Sequence, residues 1–168
     1  KTVTIKMFIG LVFPDQGSIM FAGQDLAQFQ HEDDFLPVRR RISMVFQGAA
    51  LFDSMDVFDN ISYPLRVQGM KNEREIADRV HMTLAMVGLP DCAHKMPSEL
   101  SGGMKKRIGL ARAITTNPEI ILYDEPTAGL DPINTRRIVD LILMLKERLS
   151  CTSVVIAHDM EVVRLVSD

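Results

Sequence analysis

Apolar side chains recur at helical spacing in several segments of the chain and form short strand-like runs in others. In the second half of the chain, these helical and strand-like segments alternate. That order predicts an α/β fold with a mainly parallel sheet, covered by helices on both faces. The helical pattern covers residues 1–11, 101–116 and 133–149, and the strand-like runs are residues 18–21, 41–46, 120–123 and 153–157.

Between the second and third strand-like runs, the pattern of apolar and polar residues is different and predicts helices and loops. In this stretch, Asn72 is followed three residues later by Glu75, which is the pattern of a capping box, and Gly88 closes the helix that begins there. We therefore predict one domain with two parts. These are a catalytic core at residues 1–47 and 117–168 and a helical subdomain at residues 48–116.

Composition narrows the classes of protein that fit. The 168 residues are enough for one domain, and the net charge of -3 gives no electrostatic reason to expect a nucleic acid partner. Cys92 and Cys151 lie far apart with no neighbouring Cys or His pattern, so neither a disulfide framework nor a zinc site is predicted. No apolar run approaches the ~20 residues of a membrane helix, so a membrane role would require a partner.

The stretch "EIILYDEPTAGLD" is the most informative one in the chain. An apolar strand delivers Asp124 and Glu125 to its carboxyl end, where α/β sheets place ligands. A turn begun by Pro126 would re-aim Glu125, so that Asp124 could hold Mg²⁺ while Glu125 polarises an attacking water. A strand that simply ends in solvated acids is the alternative.

The stretch "SELSGGMKKR" is a second candidate site, because Ser101, Gly102 and Gly103 stand at a predicted helix start. Free N–H groups there favour an anion, and glycines allow a phosphate to approach closely. A serine-capped helix with two flexible residues is the alternative. We interpret Lys105, Lys106 and Arg107 as a solvated helical face rather than a nucleic acid site.

The first two residues, Lys1 and Thr2, directly precede a helical pattern. A phosphate-binding P-loop, G-x-x-x-x-G-K-[ST], ends in such a dipeptide, with its Lys on the phosphates and its hydroxyl on Mg²⁺. Together and in order, the stretches "KT", "MVFQG", "LSGGM", "IILYDE", "GLD" and "VVIAHDM" resemble the ATP-binding subunit of an ABC transporter along essentially the whole chain. The resemblance implies a P-loop NTPase fold, namely an ABC nucleotide-binding domain with an inserted helical subdomain.

The same resemblance implies an ATPase that binds ATP and Mg²⁺ and works as a homodimer beneath a transmembrane permease. ATP would lie between the P-loop of one copy and the signature turn of the other, and catalysis would rest on positioning and charge neutralisation. The implied residues are Glu125, His158, Gln47 and Asp131 for catalysis, Lys1, Thr2, Ser101, Gly102 and Gly103 for ATP, and Thr2, Gln47 and Asp124 for Mg²⁺.

Met104 narrows the resemblance further, because ABC signatures usually have Gln at this position. With the surrounding stretches, it makes the chain similar to the ATPase of Mla-type phospholipid transport systems. Such a protein lies at the cytoplasmic face of the bacterial inner membrane, with a permease and an MCE-type lipid-binding protein. An apolar groove for the permease would come from residues near Gln47, with core packing as the alternative role for about half of them. The groove candidates are Ala49, Ala50, Leu51, Phe52 and Phe58.

Two other functions stay open. One is the ATPase of an ABC importer for another solute, and the other is a soluble ABC ATPase of translation or DNA repair. The resemblance also leads us to expect truncation at both ends, with the N-terminal strands and the glycines of the P-loop missing before Lys1. The 168-residue chain by itself is then expected to bind ATP weakly and to be inactive.

Overall fold

A computed structural model describes residues 1–167 of the chain. The predicted helices and strands all form, with boundaries that shift by one to a few residues. The elements are α1 Thr2–Phe8, β1 Met20–Phe21, β2 Gln24–Asp25, α2 Leu36–Arg41, β3 Ile42–Val45, α3 Val57–Val67, α4 Glu73–Met86, α5 Gly102–Ile114, β4 Ile120–Asp124, α6 Pro132–Leu149, β5 Thr152–Ile156 and α7 Met160–Val166.

Among residues 1–167, the central sheet has three parallel strands in the order β3, β4, β5. This confirms the predicted α/β class with a parallel sheet. The pairing of β3 with β4 begins where Arg41 and Glu119, 78 residues apart, form two hydrogen bonds of 2.7 Å each between guanidinium and carboxylate. The sheet therefore joins segments that are distant in sequence.

The predicted strand at residues 18–21 forms only as the two-residue β1 and does not join this sheet. Ala22 and Gly23 both have positive φ, at 49° and 82°, so the chain folds back at once and pairs β1 with β2. Consecutive positive φ angles are typical of tight hairpin turns. The hairpin thus closes locally, beside the sheet.

In the described part of the chain, residues 1–167, two hydrophobic clusters fill the interior. The larger one joins β3 and β4 to the helices between and after them, so that Val45 and Tyr123 share a core with Ile61 and Ile108. The smaller one lies between α1, the hairpin, α2 and the other side of the sheet. Because the helices of residues 48–116 share a core with the strands, the division into two parts stays a prediction.

Burial of the sheet differs between its strands. On β4, Ile121, Leu122 and Tyr123 are fully buried, as expected for a strand covered on both faces. On β5, within residues 1–167, the residues alternate between exposed and half-buried, and Val154 is 37% exposed. The prediction of a sheet covered on both faces is therefore right for β4 and wrong for β5.

The cap predicted for α4 forms in part. The Asn72 side chain accepts hydrogen bonds from the N–H groups of Arg74 and Glu75, but within residues 1–167 Glu75 does not return one. Gly88 ends the helix with φ of 68°, which a glycine adopts without strain.

Within residues 1–167, no helix is both long and apolar enough to cross a membrane.

Candidate functional site

The candidate site lies along one edge of the sheet, where the three parallel strands end. Asp124 is the last residue of β4, while Gln47 and His158 stand two residues past the ends of β3 and β5. Parallel strands that end together bring their following residues to one edge, which is where α/β sheets bind ligands. The structure thus gathers three of the predicted residues from distant parts of the sequence.

Asp124 is 3% exposed, and its carboxylate has a partner from the start of the chain. The Thr2 hydroxyl donates a hydrogen bond of 2.8 Å to Asp124 Oδ1, across 122 positions of sequence. Burial of a carboxylate requires such a partner, so this contact ties α1 to the end of β4. Sequence reasoning assigned both residues to Mg²⁺, and the structure places their oxygens side by side.

The oxygen atoms of Thr2 and Asp124 fit Mg²⁺ chemically, because this ion prefers oxygen ligands and usually takes one or two carboxylates together with phosphate oxygens and waters. Within residues 1–167, no group of three or more His, Cys, Asp or Glu side chains could hold a metal by itself. A magnesium ion held by Thr2 and Asp124 would take its remaining ligands from waters or from phosphate oxygens.

Glu125 and His158 form a pair beside Asp124. His158 Nε2 lies 2.7 Å from Glu125 Oε1, with side-chain exposures of 73% and 18% respectively. Glu125 adopts a left-handed conformation with φ of 47°, one residue before the turn expected at Pro126. This conformation is unfavourable for a residue with a Cβ, and such strain is found at functional sites. The Glu125 side chain in this conformation contacts His158, two residues past the end of β5.

Lys106 corrects the interpretation of "KKR" as a solvated helical face. It is only 8% exposed, and its ammonium group donates hydrogen bonds to the backbone carbonyls of Gln47 and Glu125. Burial lowers the pKa of Lys106, and the Glu125 charge partly opposes that effect. Helical spacing could have revealed this, because Lys106 falls on the same face of α5 as the buried Gly103 and Leu110.

The rest of that basic run also has structural contacts. Arg107 donates from one guanidinium nitrogen to the carbonyls of Val87 and Gly88, at 3.2 Å each, and so caps the end of α4. Lys105 is half-buried on α5. The predicted solvated face is therefore wrong for Lys106 and Arg107.

The loop after β3 carries Gln47 and is held by α5. Within residues 1–167, the Gln47 side chain makes no hydrogen bond, while its carbonyl accepts from Lys106. Ala49 and Ala50 both have positive φ, and Arg112 donates to their carbonyls at 2.8 and 2.7 Å. Arg112 was not singled out from the sequence, where it reads as an ordinary basic residue near a helix end.

An apolar groove opens beside this loop, and two of the five predicted residues line it. Ala50 and Phe52 lie in the groove, whereas Ala49 is buried and Leu51 and Phe58 pack against the main core. The core alternative is thus right for the other three. The groove has a volume of about 420 Å³ and is lined by Ser43, Met44, Phe46, Ala50, Phe52, Tyr63, Pro64, Arg112 and Ala113.

The signature turn, Ser101 to Gly103, begins α5. Ser101 caps the helix by accepting from the N–H of Met104 at 3.3 Å, and both Ser101 and Gly102 are exposed. Gly103 is buried against Asn134, since a Cβ added there would lie 3.0 Å from Asn134 Oδ1. The turn therefore presents its first two residues outward and packs its third inward.

Asn134 also links the signature turn to Asp131. The Asp131 carboxylate accepts a hydrogen bond of 3.0 Å from the Asn134 N–H and so caps α6. These bonds from Asn134 lower the pKa of Asp131. Within residues 1–167, no hydrogen bond or ion pair joins Asp131 to Glu125 or His158, so the structure groups Asp131 with the signature turn.

Lys1, the remaining predicted residue, is exposed at the start of α1. It precedes Thr2 directly and therefore stands next to the Thr2–Asp124 contact. Its ammonium group has no ion-pair partner within residues 1–167. That position leaves Lys1 available to an anion at the same edge of the sheet.

Comparison with protein families shows which family this chain matches. The ABC transporter family profile matches residues 1–128, about three quarters of the chain. The chain belongs to the ABC transporter family. Sequence resemblance predicted this membership, and the match confirms it.

Among curated members of the ABC transporter family, two relatives align with the whole chain. The intermembrane phospholipid transport system ATP-binding protein MlaF of Haemophilus influenzae is 44% identical, and the chain covers 63% of its length. The methionine import ATP-binding protein MetN of Corynebacterium jeikeium is 43% identical, and the chain covers 45% of its length. The chain therefore spans less than two thirds of the length of these ABC relatives.

A solved ABC structure supports the fold in detail. The dimeric post-hydrolysis state of the ATP-binding cassette MJ0796, bound to ADP and Pi, superposes with a TM-score of 0.87 at 30% sequence identity. The superposition covers 98% of this chain and 72% of that one. The predicted P-loop NTPase class of the ABC type is confirmed.

Proposed function

We propose that the complete protein is the ATP-hydrolysing subunit of an ABC transporter. The observation that carries this proposal is the sheet edge, where the Thr2–Asp124 hydrogen bond and the Glu125–His158 pair lie next to each other. A hydroxyl and a buried carboxylate are suited to hold Mg²⁺, and a second carboxylate beside an imidazole is suited to position a water and accept its proton in phosphoryl transfer. The related cassette MJ0796, described in a post-hydrolysis state with ADP and Pi, supports the same reaction.

The phosphates of ATP would bind at the start of α1. Lys1 would neutralise phosphate charge as an exposed ammonium group, and Thr2 and Asp124 would hold Mg²⁺ together with the side chain of Gln47. The metal would supply further charge neutralisation to the phosphates. Gln47 lies on the adjacent strand end with its side-chain amide unengaged within residues 1–167, so it is available for this role.

Glu125 is the proposed general base. Its contact with His158 uses Oε1, which leaves Oε2 to accept a proton from an attacking water. His158 is largely exposed and would hold the carboxylate in place before ATP binds, then donate to the transferred phosphate. The left-handed backbone at Glu125 fixes the direction of the side chain before any ligand arrives.

The signature turn is proposed to act on a second copy of the chain. Ser101 and Gly102 point outward, and their N–H groups are suited to a phosphate bound at the sheet edge of the partner. Asp131 lies beside that turn through Asn134, so we assign it to the same interface. The homodimer agrees with the dimeric state described for MJ0796.

The cargo we propose is phospholipid, moved by a permease with an MCE-type partner at the cytoplasmic face of the bacterial inner membrane. Support comes from the relative MlaF, whose name assigns it to intermembrane phospholipid transport. The apolar groove lined by Ala50 and Phe52 is the proposed contact with the permease. The second candidate is import of another solute, which the 43% identity with the methionine import protein MetN favours.

Purification of the complete protein from its native membrane separates these functions. We expect it to bring down a permease together with bound phospholipid, identified by mass spectrometry of peptides and lipids. A solute permease without phospholipid would instead support the importer. ATP hydrolysis with no permease in the preparation would favour a soluble ABC ATPase.

A further inference from the structure

Lys106 is a buried charge that the proposed reaction does not use. It lies on α5, one turn after the signature turn, and is 8% exposed. Its Nζ donates to the carbonyl oxygen of Gln47 and, at 3.5 Å, to that of Glu125. One ammonium group thereby contacts the backbone of two strand ends, those of β3 and β4.

The hydrogen bond from Lys106 to the Gln47 carbonyl is one of several contacts between α5 and the loop after β3. Arg112 holds the carbonyls of Ala49 and Ala50, and a Cβ added at Gly109 would lie only 3.2 Å from Ala49 Cβ. The helix therefore contacts the loop at three points along its length. A displacement of the loop must move α5 as well, or break several hydrogen bonds.

The second contact of Lys106 is with the backbone of Glu125, in the turn that carries the proposed catalytic base. The Glu125 carbonyl closes this turn by accepting from the N–H of Ala128 at 3.1 Å, and Lys106 is its second donor. Because Glu125 has φ of 47°, its backbone stays in place only while surrounding contacts hold it. Lys106 is one of those contacts, and it comes from the helix that carries the signature turn.

We propose that Lys106 is a positioning residue that couples the loop after β3, through one ammonium group, to the orientation of the catalytic carboxylate of Glu125. This inference rests on the proposed ATPase function. When the loop and α5 shift together, the donor to the Glu125 carbonyl shifts with them. The groove beside that loop is the proposed permease contact, so Lys106 links permease position to the alignment of the base.

The experiment uses the complete protein in its complex with the permease and compares Lys106→Met with Lys106→Arg. Methionine keeps a straight side chain in the buried site but removes the donors. We expect kcat for ATP hydrolysis to fall by about ten- to a hundredfold, the effect of a small misplacement of a reacting group, with KM within about twofold. Arginine restores donors and should recover kcat to within about threefold of wild type.

Lys105→Met is the matched control, because Lys105 precedes Lys106 on α5 and, within residues 1–167, makes no side-chain hydrogen bond. It should leave kcat and KM unchanged. Hydrogen exchange provides a second measurement that does not depend on catalysis. In Lys106→Met, amides of residues 125–128 should exchange faster, while those of α1 should not.

Two results would overturn the inference. The first is a wild-type kcat in Lys106→Met with unchanged exchange at residues 125–128. The second is a fall of kcat in Lys106→Arg as large as that in Lys106→Met. That result would show that the site tolerates no substitution, rather than that it depends on a hydrogen-bond donor. If wild-type protein does not hydrolyse ATP, the proposed function fails, while the exchange measurement still tests whether Lys106 holds the turn. Should Lys106→Met fail to fold, Lys106→Leu provides the same comparison, because leucine also removes the donors and keeps an apolar side chain in the buried site.

Discussion

The sheet edge and the signature turn are both proposed to bind ATP, but they are built in opposite ways. At the sheet edge, Thr2 is paired with Asp124 and Glu125 with His158, and Asp124 is buried. At the signature turn, Ser101 and Gly102 are exposed, and among residues 1–167 the Ser101 hydroxyl is engaged only in capping its own helix. The sheet edge is organised by contacts within the chain, whereas the first two residues of the signature turn are exposed.

The difference assigns separate requirements to the two regions. A site whose side chains already hold each other in place is preorganised, so the chain alone should determine its geometry. An exposed turn of N–H donors gains an acceptor only from another molecule. We therefore expect substitutions at the sheet edge to impair chemistry or local stability, and substitutions at the signature turn to impair assembly.

The largest effect should come from Glu125→Gln in the complete protein. The amide keeps the size of the side chain but cannot accept a proton from water, so hydrolysis should fall by about 10²- to 10⁴-fold. Nucleotide binding should survive, and size-exclusion chromatography in MgATP should show an accumulated dimer. Glu147→Gln, at an exposed position of α6, is the control and should hydrolyse normally. Wild-type turnover in Glu125→Gln would remove Glu125 from the catalytic role.

Ser101→Arg should prevent the signature turn from contacting a second copy of the chain. The long side chain would occupy the space where the turn must approach a partner's phosphate, and we expect its bulk to outweigh the attraction of its charge. In a Glu125→Gln background, the added change should abolish the MgATP-dependent dimer in the same chromatographic assay. Ser54→Arg, in the exposed segment between β3 and α3, should leave the dimer intact. A dimer that persists in the Ser101 variant would contradict the assigned interface.

Thr2→Val should produce a smaller, intramolecular effect. The valine cannot donate to Asp124, and leaving a buried carboxylate without this donor costs about 1–3 kcal/mol of folding free energy. Chemical denaturation measures that loss, and Thr2→Ser should recover most of it. Thr4→Val tests the same replacement at an exposed position two residues away. Equal stabilities of the Thr2 and Thr4 variants would show that the contact with Asp124 contributes little.

The smallest effect is expected for the exposed Arg66–Glu73 pair, which serves as the reference for the Thr2–Asp124 contact. Arg66 hydrogen-bonds Glu73 and lowers the pKa of that carboxyl group. A lowered pKa stabilises the fold above the unfolded value, near 4.3, and this stability is lost as pH falls through the folded value. Glu73→Gln should lower the melting temperature at pH 7 by less than about 2 °C, and the difference should shrink as the pH falls below the unfolded value. A larger shift at pH 7 would place this surface pair on the scale of the Thr2–Asp124 contact.

The sequence predicted the strands of the central sheet and the long helices because their signals are local, whereas β2 was not predicted. The regular apolar spacing of α6 and the apolar run of β4 leave little choice of structure. By contrast, α2 was missed because it is six residues long and reads as polar around Arg39, Arg40 and Arg41. A short helix of this kind is stabilised by packing rather than by its own propensity.

The candidate site was predicted where it depends on strand ends and missed where it depends on packing between helices. Asp124 and His158 follow apolar strands, so their place at the sheet edge is readable from the sequence. Lys106 and Arg112 act through backbone carbonyls of residues about 60 positions away, and such contacts leave no mark in either segment. Their roles follow from the packing of α5 against the loop after β3.

The pairing of β3 with β4 sets an order for folding during synthesis. The ion pair where this pairing begins joins Arg41 to Glu119, 78 positions later, so β3 cannot pair with β4 until the intervening helices have left the ribosome. At ~5–20 residues per second, that wait is roughly 4–16 s. During this interval β3 lacks β4, while the α1 and hairpin segments, which precede it in the chain, can already pack against it. Nascent chains halted before and after residue 124 should therefore differ sharply in protease resistance.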